Sequence, residues 1–285
     1  MKRVGRASGL RGGGRADLFA VARAMVPPEP LSPIYPEAED FVFTLAEPLA
    51  LGRVERVVIG KWDSLYADAL RRAAESAFPG VPALVCRGGD EVLAALRERR
   101  ADVALLGLTF SDRDGVEVVQ AVAAARLATR LMIVSGRKDE LSLHALRQTR
   151  FDGFFDPLAE EAAMLVPALQ AVAAGRGYLS ESLRRELFLA RSAGVVALQL
   201  TQAELQVLGV IGDGSDDREA AVRLELSEST VQTHRRNLMR KLGVGTSAKL
   251  VREAVRLGVV RIRSDGAVER PGLERMLAAR KTRRV

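Results

Sequence analysis

Ser227-Glu228-Ser229-Thr230-Val231-Gln232-Thr233-His234-Arg235-Arg236-Asn237-Leu238-Met239-Arg240-Lys241-Leu242 spells a helix with two unlike faces. Ser227 is placed to cap its first turn, and Val231, Leu238 and Leu242 recur at the spacing that turns apolar side chains to one side. The other side holds Gln232, Thr233, Arg235, Arg236, Asn237 and Arg240. Glutamine and arginine carry paired donors and acceptors that match adenine and guanine edges in the major groove, and lysine and arginine neutralise phosphates. A basic helix face alone is usually a solvated surface, so the reading depends on what flanks it.

The flanks are in register. Thr201-Gln202-Ala203-Glu204 is a capping box, in which hydroxyl and carboxylate each satisfy the other's backbone N–H. Leu205, Val207, Leu208 and Ile211 give that helix an apolar face before Gly212-Asp213-Gly214 stops it. Asp216 and Glu219 offer a second start for a short helix ending near Leu224, and a fourth helix is expected over 246–258.

Leu200-Thr201, Glu204 and Val207-Leu208, followed by Ser227 through His234 and then Leu238, Arg240-Lys241-Leu242-Gly243-Val244, resemble the DNA-binding domain of LuxR/FixJ/NarL-type bacterial regulators. The resemblance implies an all-α helix-turn-helix domain over 198–263. It places base reading on Gln232, Thr233 and Arg236, and phosphate contacts on Thr230, His234, Arg235, Arg240, Lys241 and Lys249. Double-stranded DNA is the implied partner, with RNA polymerase a further candidate. The sequence departs from the family at Ser215-Asp216-Asp217 and Ala220, where a more apolar and neutral pattern is usual.

Composition permits this reading without forcing it. The chain has 285 residues, a formal charge of +7 and 48% hydrophobic residues, enough for two domains with cores. The charge is uneven: residues 1–26 carry +5, 200–263 carry +3, 264–285 carry +3, and 27–199 carry −4. Basic ends of this kind add salt-sensitive affinity for nucleic acid, or only solubility. The single cysteine, Cys86, excludes an internal disulfide framework, suits a reducing cytoplasm, and reads as a buried structural thiol at the end of an apolar run. No run approaches the ~18 apolar residues of a membrane span, and the Gly/Arg-rich start lacks a signal's apolar core. The expected location is the bacterial cytoplasm, on the nucleoid when DNA is bound.

Residues 1–52 read as a flexible extension, permissive at Arg11-Gly12-Gly13-Gly14-Arg15 and extended at Pro27, Pro28, Pro30, Pro33 and Pro36. A short amphipathic helix over 17–26 and an edge strand at Phe41-Val42-Phe43 are the local expectations there.

Over 53–175 the rhythm changes. Val57-Val58-Ile59, Ala83-Leu84-Val85, Val103-Ala104-Leu105-Leu106, Leu131-Met132-Ile133-Val134 and Phe154-Phe155 are short apolar runs, each followed by a helix-length amphipathic stretch. Such continuous apolar strands suit a parallel sheet buried on both faces. The stretch resembles a CheY-type receiver, an α/β doubly wound domain, through Asp102-Val103-Ala104-Leu105-Leu106, Asp114-Gly115, Val134-Ser135 and Asp152-Gly153-Phe154.

The resemblance also says where receiver chemistry belongs. A working receiver holds Mg²⁺ on an acidic pair after the first strand, phosphorylates an Asp ending the third, and supports it with a Lys after the fifth. Those roles need hard oxygen ligands and a carboxylate nucleophile. Here the positions are Lys61-Trp62, Gly107 and Asp156, with Ser135 the retained hydroxyl and Phe154 where an aromatic is common. Asp63, Asp112 and Asp114 lie nearby on loops. The expectation is a pseudo-receiver without metal, cofactor or aspartyl phosphorylation. Its reversed polarity suggests that Lys61 pairs with Asp156 across the pocket, unless each is simply solvated. Because ligands of open α/β sheets sit at strand carboxyl ends, the same pocket is a candidate small-molecule site, with Gly107 supplying room and Trp62 a stacking surface.

Between the domains, Arg176-Gly177-Tyr178-Leu179-Ser180 resembles the segment that closes the last receiver helix in this family. Leu183, Leu187 and Phe188 then set a linker helix within 176–197 that joins the domains or pairs two subunits. Residues 264–285 read as a basic tail. A homodimer is expected because one recognition helix reads few base pairs, and Leu250, Val251, Ala254 and Val255 form a stripe that serves that contact or completes the core. Three readings compete: a dimeric regulator independent of phosphorylation, a regulator switched by ligand or an atypical acceptor, and an adaptor that binds another regulator and no DNA. An enzyme fits least, since His144 and His234 are far apart, Cys86 has no evident base and no phosphate-cradling glycine loop follows a strand.

Overall fold

A computed structural model of the protein describes residues 53–193, 195–263 and 266–282. The extension over 1–52, with its expected helix and edge strand, lies outside the described residues. Strands and helices alternate: β1 (Val57–Gly60), α1 (Ser64–Ala77), β2 (Ala83–Cys86), α2 (Gly89–Glu98), β3 (Ala101–Leu106), α3 (Gly115–Ala124), β4 (Ala128–Val134), α4 (Glu140–Arg147), β5 (Gly153–Phe155), α5 (Leu165–Ala173), β6 (Tyr178–Leu179) and α6 (Glu181–Ala193). The strands form one parallel sheet in the order β2-β1-β3-β4-β5-β6, the doubly wound receiver architecture.

Each strand feeds both faces, as its period of two requires. Val58, Ala104, Leu106, Ile133 and Phe154 share one core with Val92, Val116, Val119 and Leu146 of α2, α3 and α4. Val57, Ile59, Val103, Leu105, Met132 and Phe155 share the other with Leu70 and Leu169 of α1 and α5.

Two expectations about the following segment change. Tyr178 and Leu179 add a sixth strand, pairing with Gly153 and Phe154. The helix after it, expected to join the domains or pair subunits, buries Leu183 and Leu187 in the receiver core. Those two side chains are thereby withdrawn from any contact between subunits.

The C-terminal helices are α7 (Gln202–Ile211), α8 (Asp217–Leu224), α9 (Glu228–Lys241) and α10 (Ser247–Leu257). Thr201–Glu204 and Asp216–Glu219 both close capping boxes, and Ser227 and Thr246 accept from the backbone three residues on. Leu250 and Ala254 of α10 are fully buried in this domain's own core, while Val255 is exposed. The chain then folds back: β7 (Arg261–Ile262) pairs antiparallel with β8 (Val268–Glu269), and α11 (Pro271–Thr282) buries Leu273 and Met276 against the helical core. The expected basic tail is therefore largely a helix, its apolar residues anchoring a charged segment.

The two domains touch through α4. Leu141 is buried in the C-terminal core, and Glu140 accepts from Arg256 at 3.2 Å and from the Ala197 N–H at 3.1 Å. Gly258, at φ +79°, ends α10 so close to Asp139 that no side chain would fit. Asp114, at the N-terminus of α3, is surrounded by Arg137 of the receiver and by Arg261 and Arg275 of the C-terminal segment.

Candidate functional site

The recognition helix α9 is held from below. Val231 and Leu238 are fully buried against α7 and α8, which leaves Ser229, Gln232, Thr233, Arg236 and Arg240 on one exposed strip. Thr233 Oγ1 donates to the Ser229 carbonyl at 2.9 Å, so outward it offers its methyl group and lone pairs. Gln232 Nε2 contacts Glu228 Oε1 at 3.2 Å, and Arg240 contacts Asn237 at 3.3 Å. Arg236 is exposed and has no ion pair among the described residues. All three expected base-reading side chains thus share one accessible face.

The expected phosphate contacts divide. Arg240 and Lys249 are exposed. Thr230 is drawn into the Ser227 cap, its hydroxyl 2.7 Å from Ser227 Oγ. His234 is half-buried, with Nδ1 enclosed and unbonded among the described residues. Arg235 bonds Asp217 at 2.6 Å and Ser247 at 3.0 Å, tying α9 to α8 and to the start of α10. Lys241 bonds Glu204 at 2.7 Å, closing α9 onto the α7 capping box. Burial pushes the Glu204 carboxyl up, but Lys241 and Thr201 outweigh it and hold it below its usual value. For Arg235 and Lys241 the geometry supplies a scaffold task, and Asp217, which looked like a departure in the scaffold helix, is the acid that Arg235 needs.

At the other functional end, parallel strands bring Lys61, Gly107, Ser135 and Asp156 together at their carboxyl termini. The Lys61–Asp156 pair is absent. Asp156, fully buried, accepts instead from Lys138 Nζ at 2.6 Å, from Ser182 Oγ at 2.6 Å and from the Leu158 N–H at 3.0 Å. Lys138 lies in the loop after β4, and it reaches Asp156 because β4 and β5 are neighbours. Lys61 lies over the Tyr66 ring, 4.3 Å from its centroid, and burial lowers its pKa against the opposing pull of Asp63. Tyr66 is pushed up to about 12, by burial and then by the Asp156 charge.

The room expected at Gly107 is taken. A Cβ there would stand 3.1 Å from Lys61 Cδ and 3.6 Å from its Nζ. Trp62 is 41% exposed and Phe154 is wholly in the core, so neither walls a pocket. Ser135 Oγ accepts from the Arg137 N–H at 3.0 Å. The loop carboxylates are committed elsewhere: Asp63 caps α1, Asp112 accepts from the Gly89 and Asp90 N–H groups, and Asp114 holds arginines. An ammonium over the acceptor position and a single carboxylate already paired to lysine do not fit Mg²⁺, which needs several oxygen ligands.

Lys138, Ser182 and Tyr66 are participants that sequence reasoning missed. A lysine three residues after the Ser135 strand end was the available signal for the first; Ser182 had none, because it depends on where the sixth strand lies.

Residues 198–254 match the family model described as bacterial regulatory proteins, luxR family. The chain is 30% identical over 205 residues to the probable transcriptional regulatory protein NarL of Mycobacterium tuberculosis, covering 70% of this chain and 94% of that protein. The chain belongs to the luxR family of bacterial regulatory proteins, of the NarL type. This luxR-family regulator is also 30% identical over 172 residues to the nitrate/nitrite response regulator protein NarP of Escherichia coli, covering 56% of this chain and 77% of that one. Its fold is shared by RcsB of Salmonella enterica serovar Typhimurium, at 20% identity and a TM-score of 0.50 over 71% of this chain and 98% of that chain. As a luxR-family member it is a DNA-binding transcription regulator. No helix among its described residues is long and apolar enough to cross a membrane.

Proposed function

We propose that this regulator reads a specific duplex sequence as a dimer, without aspartyl phosphorylation. Gln232, Thr233 and Arg236 contact base edges, and Arg240 and Lys249 contact phosphates, with Thr230 and His234 at the helix margin. Arg235 and Lys241 present the helix and reach phosphate only with their outer N–H groups. Two copies would set their recognition helices about one helical turn apart, roughly 34–36 Å.

The observation that carries the regulatory half is the side chain of Lys61 lying over Gly107, where a receiver of this fold would present its phosphate acceptor. A glycine has no group to phosphorylate, and the neighbouring ammonium opposes a divalent cation. Lys138 on Asp156 supplies internally the lysine–carboxylate contact that surrounds a receiver pocket, with no metal needed to balance it.

Selection of genomic fragments by the purified full chain, without phosphodonor or magnesium and at two salt concentrations, tests the proposal. An enriched inverted repeat is the expected result. Failure to enrich any sequence, from protein shown to be folded and dimeric, would move the reading to a ligand-switched regulator or to an adaptor.

A further inference from the structure

At the end of the sheet opposite Gly107, arginines converge on a depression of about 240 Å³. Arg100 precedes β3, Arg126 follows α3, Arg130 lies in β4 and Arg150 precedes β5, while the part-exposed Ala123 and Ala128 supply an apolar part of the lining above the buried Val122 and Leu131. Asp152 is the acid of the group, and it is already satisfied: Arg130 lies 3.1 Å away and the Leu131 N–H donates at 2.8 Å. Arg100, Arg126 and Arg150 are exposed at the rim, with no ion pair among the described residues. Three such cations around one depression stand out in a segment, 27–199, whose net charge is −4.

A second observation concerns the backbone. Arg126 has φ +49°, the left-handed region that glycine prefers and that commonly ends a helix. Its N–H bonds the Ala123 carbonyl, and the Leu127 N–H bonds the Val122 carbonyl, so the turn itself requires no arginine. A long cationic side chain therefore stands at the rim in a conformation that glycine would adopt more readily.

We propose that this depression binds a small phosphorylated molecule with a flat or apolar body, of the nucleotide class. Guanidinium forks match phosphate oxygens bidentately, and the rim arginines supply three of them. Ala123 and Ala128, both part-exposed, give the body of the ligand an apolar surface to lie on. Duplex DNA is too wide to enter the depression and would meet only its rim. The site is separate from the receiver pocket and from α9, and goes beyond the reading of either.

Isothermal titration of the full chain at physiological salt tests this, using nucleoside 5′-diphosphates with pyrophosphate and tripolyphosphate as phosphate-only probes. At least one nucleoside diphosphate should bind saturably and more tightly than pyrophosphate. Arg126→Gly and Arg150→Gln should each weaken it about ten-fold or more, the loss of one charge-assisted contact. Arg126→Gly places the preferred residue in the left-handed turn, so its melting temperature should not fall and misfolding would not account for lost binding. Absence of saturable binding overturns the proposal. So does binding that follows only the number of phosphate charges and ignores both variants. If no nucleotide binds and the variants instead weaken duplex DNA affinity, the patch is a DNA-backbone contact and the proposal fails.

Discussion

Lys138 Nζ stands 2.6 Å from Asp156 Oδ2, joining the loop after β4 to the end of β5 across the mouth of the receiver sheet. The carboxylate is fully buried and the lysine side chain is 24% exposed. Breaking a wholly buried pair costs about 3–5 kcal/mol, and partial access of water to the lysine lowers that to roughly 2 kcal/mol. Lys138→Met should destabilise the protein by this amount at neutral pH. Burial pushes the Asp156 carboxyl up, but Lys138, Ser182 and the Leu158 N–H together hold it below its usual value. A folded pKa below the unfolded one gives stability that is present at neutral pH and lost as pH falls below the usual carboxylate range. Urea unfolding of both proteins should show a gap that closes in acid; a gap that persists there would assign the loss to packing.

The same geometry bears on restoring an acceptor. In Gly107→Asp the new Cβ meets Lys61 Cδ at 3.1 Å, the outer part of a flexible side chain, so the variant should fold. Its carboxylate would lie beside the Lys61 ammonium and pair with it. With no acidic pair to hold Mg²⁺, the variant should remain unphosphorylated by acetyl phosphate, as should the unaltered chain. Intact-protein mass after incubation reads this directly, and a phosphoryl adduct on the unaltered chain would overturn phosphorylation independence.

On α9, two adjacent arginines should behave oppositely. Arg236 is exposed on the outer strip, whereas Arg235 bonds Asp217 and Ser247. Arg236→Ala should leave the melting temperature unchanged while losing about 1–3 kcal/mol at one cognate base. Arg235→Ala should lower stability by about 1 kcal/mol, through lost bonds between helices, and weaken all DNA sequences alike. Binding to the selected repeat and to scrambled duplexes, beside thermal melts, separates the two. Equal loss on both duplexes for Arg236→Ala would make it a phosphate contact.

What was legible in the chain was what local chemistry decides. Thr201, Asp216 and Ser227 announce helix starts because a cap needs only residues a turn apart, and the five apolar runs announce strands because burial on both faces leaves no other composition. Tyr178-Leu179 was too short to declare itself, and becomes a strand only because β5 offers an open edge. Residues 271–282 carry enough charge to read as solvated, yet Leu273 and Met276 suffice to dock them. The polarity reversal at the receiver pocket was visible, but which lysine meets Asp156 depends on the path of the loop after β4. The partners of Arg235 and Lys241 depend likewise on helix crossings that spacing does not encode.

The arginines around Asp114 yield the last prediction. Asp114 starts α3 of the receiver, and Arg275 reaches it from α11, joined by Arg261 and by Arg137, which follows Ser135 by two residues. The Asp114 side chain is 5% exposed, so its charge is poorly screened by salt and is the shared anchor of both domains. Arg275→Met removes one cation and keeps the helix; Asp114→Asn leaves three guanidinium groups facing a neutral amide and should have the larger effect. Loosened docking would expose the connection over 195–200, held to Glu140 through the Ala197 N–H. A loss of about 1.4 kcal/mol in docking would raise the rate of cleavage there roughly ten-fold, since proteolysis follows the open population. Limited proteolysis with mapped cut sites reads this outcome. An unchanged rate in Asp114→Asn would mean that α4 and its apolar contact through Leu141 hold the domains together without the arginines.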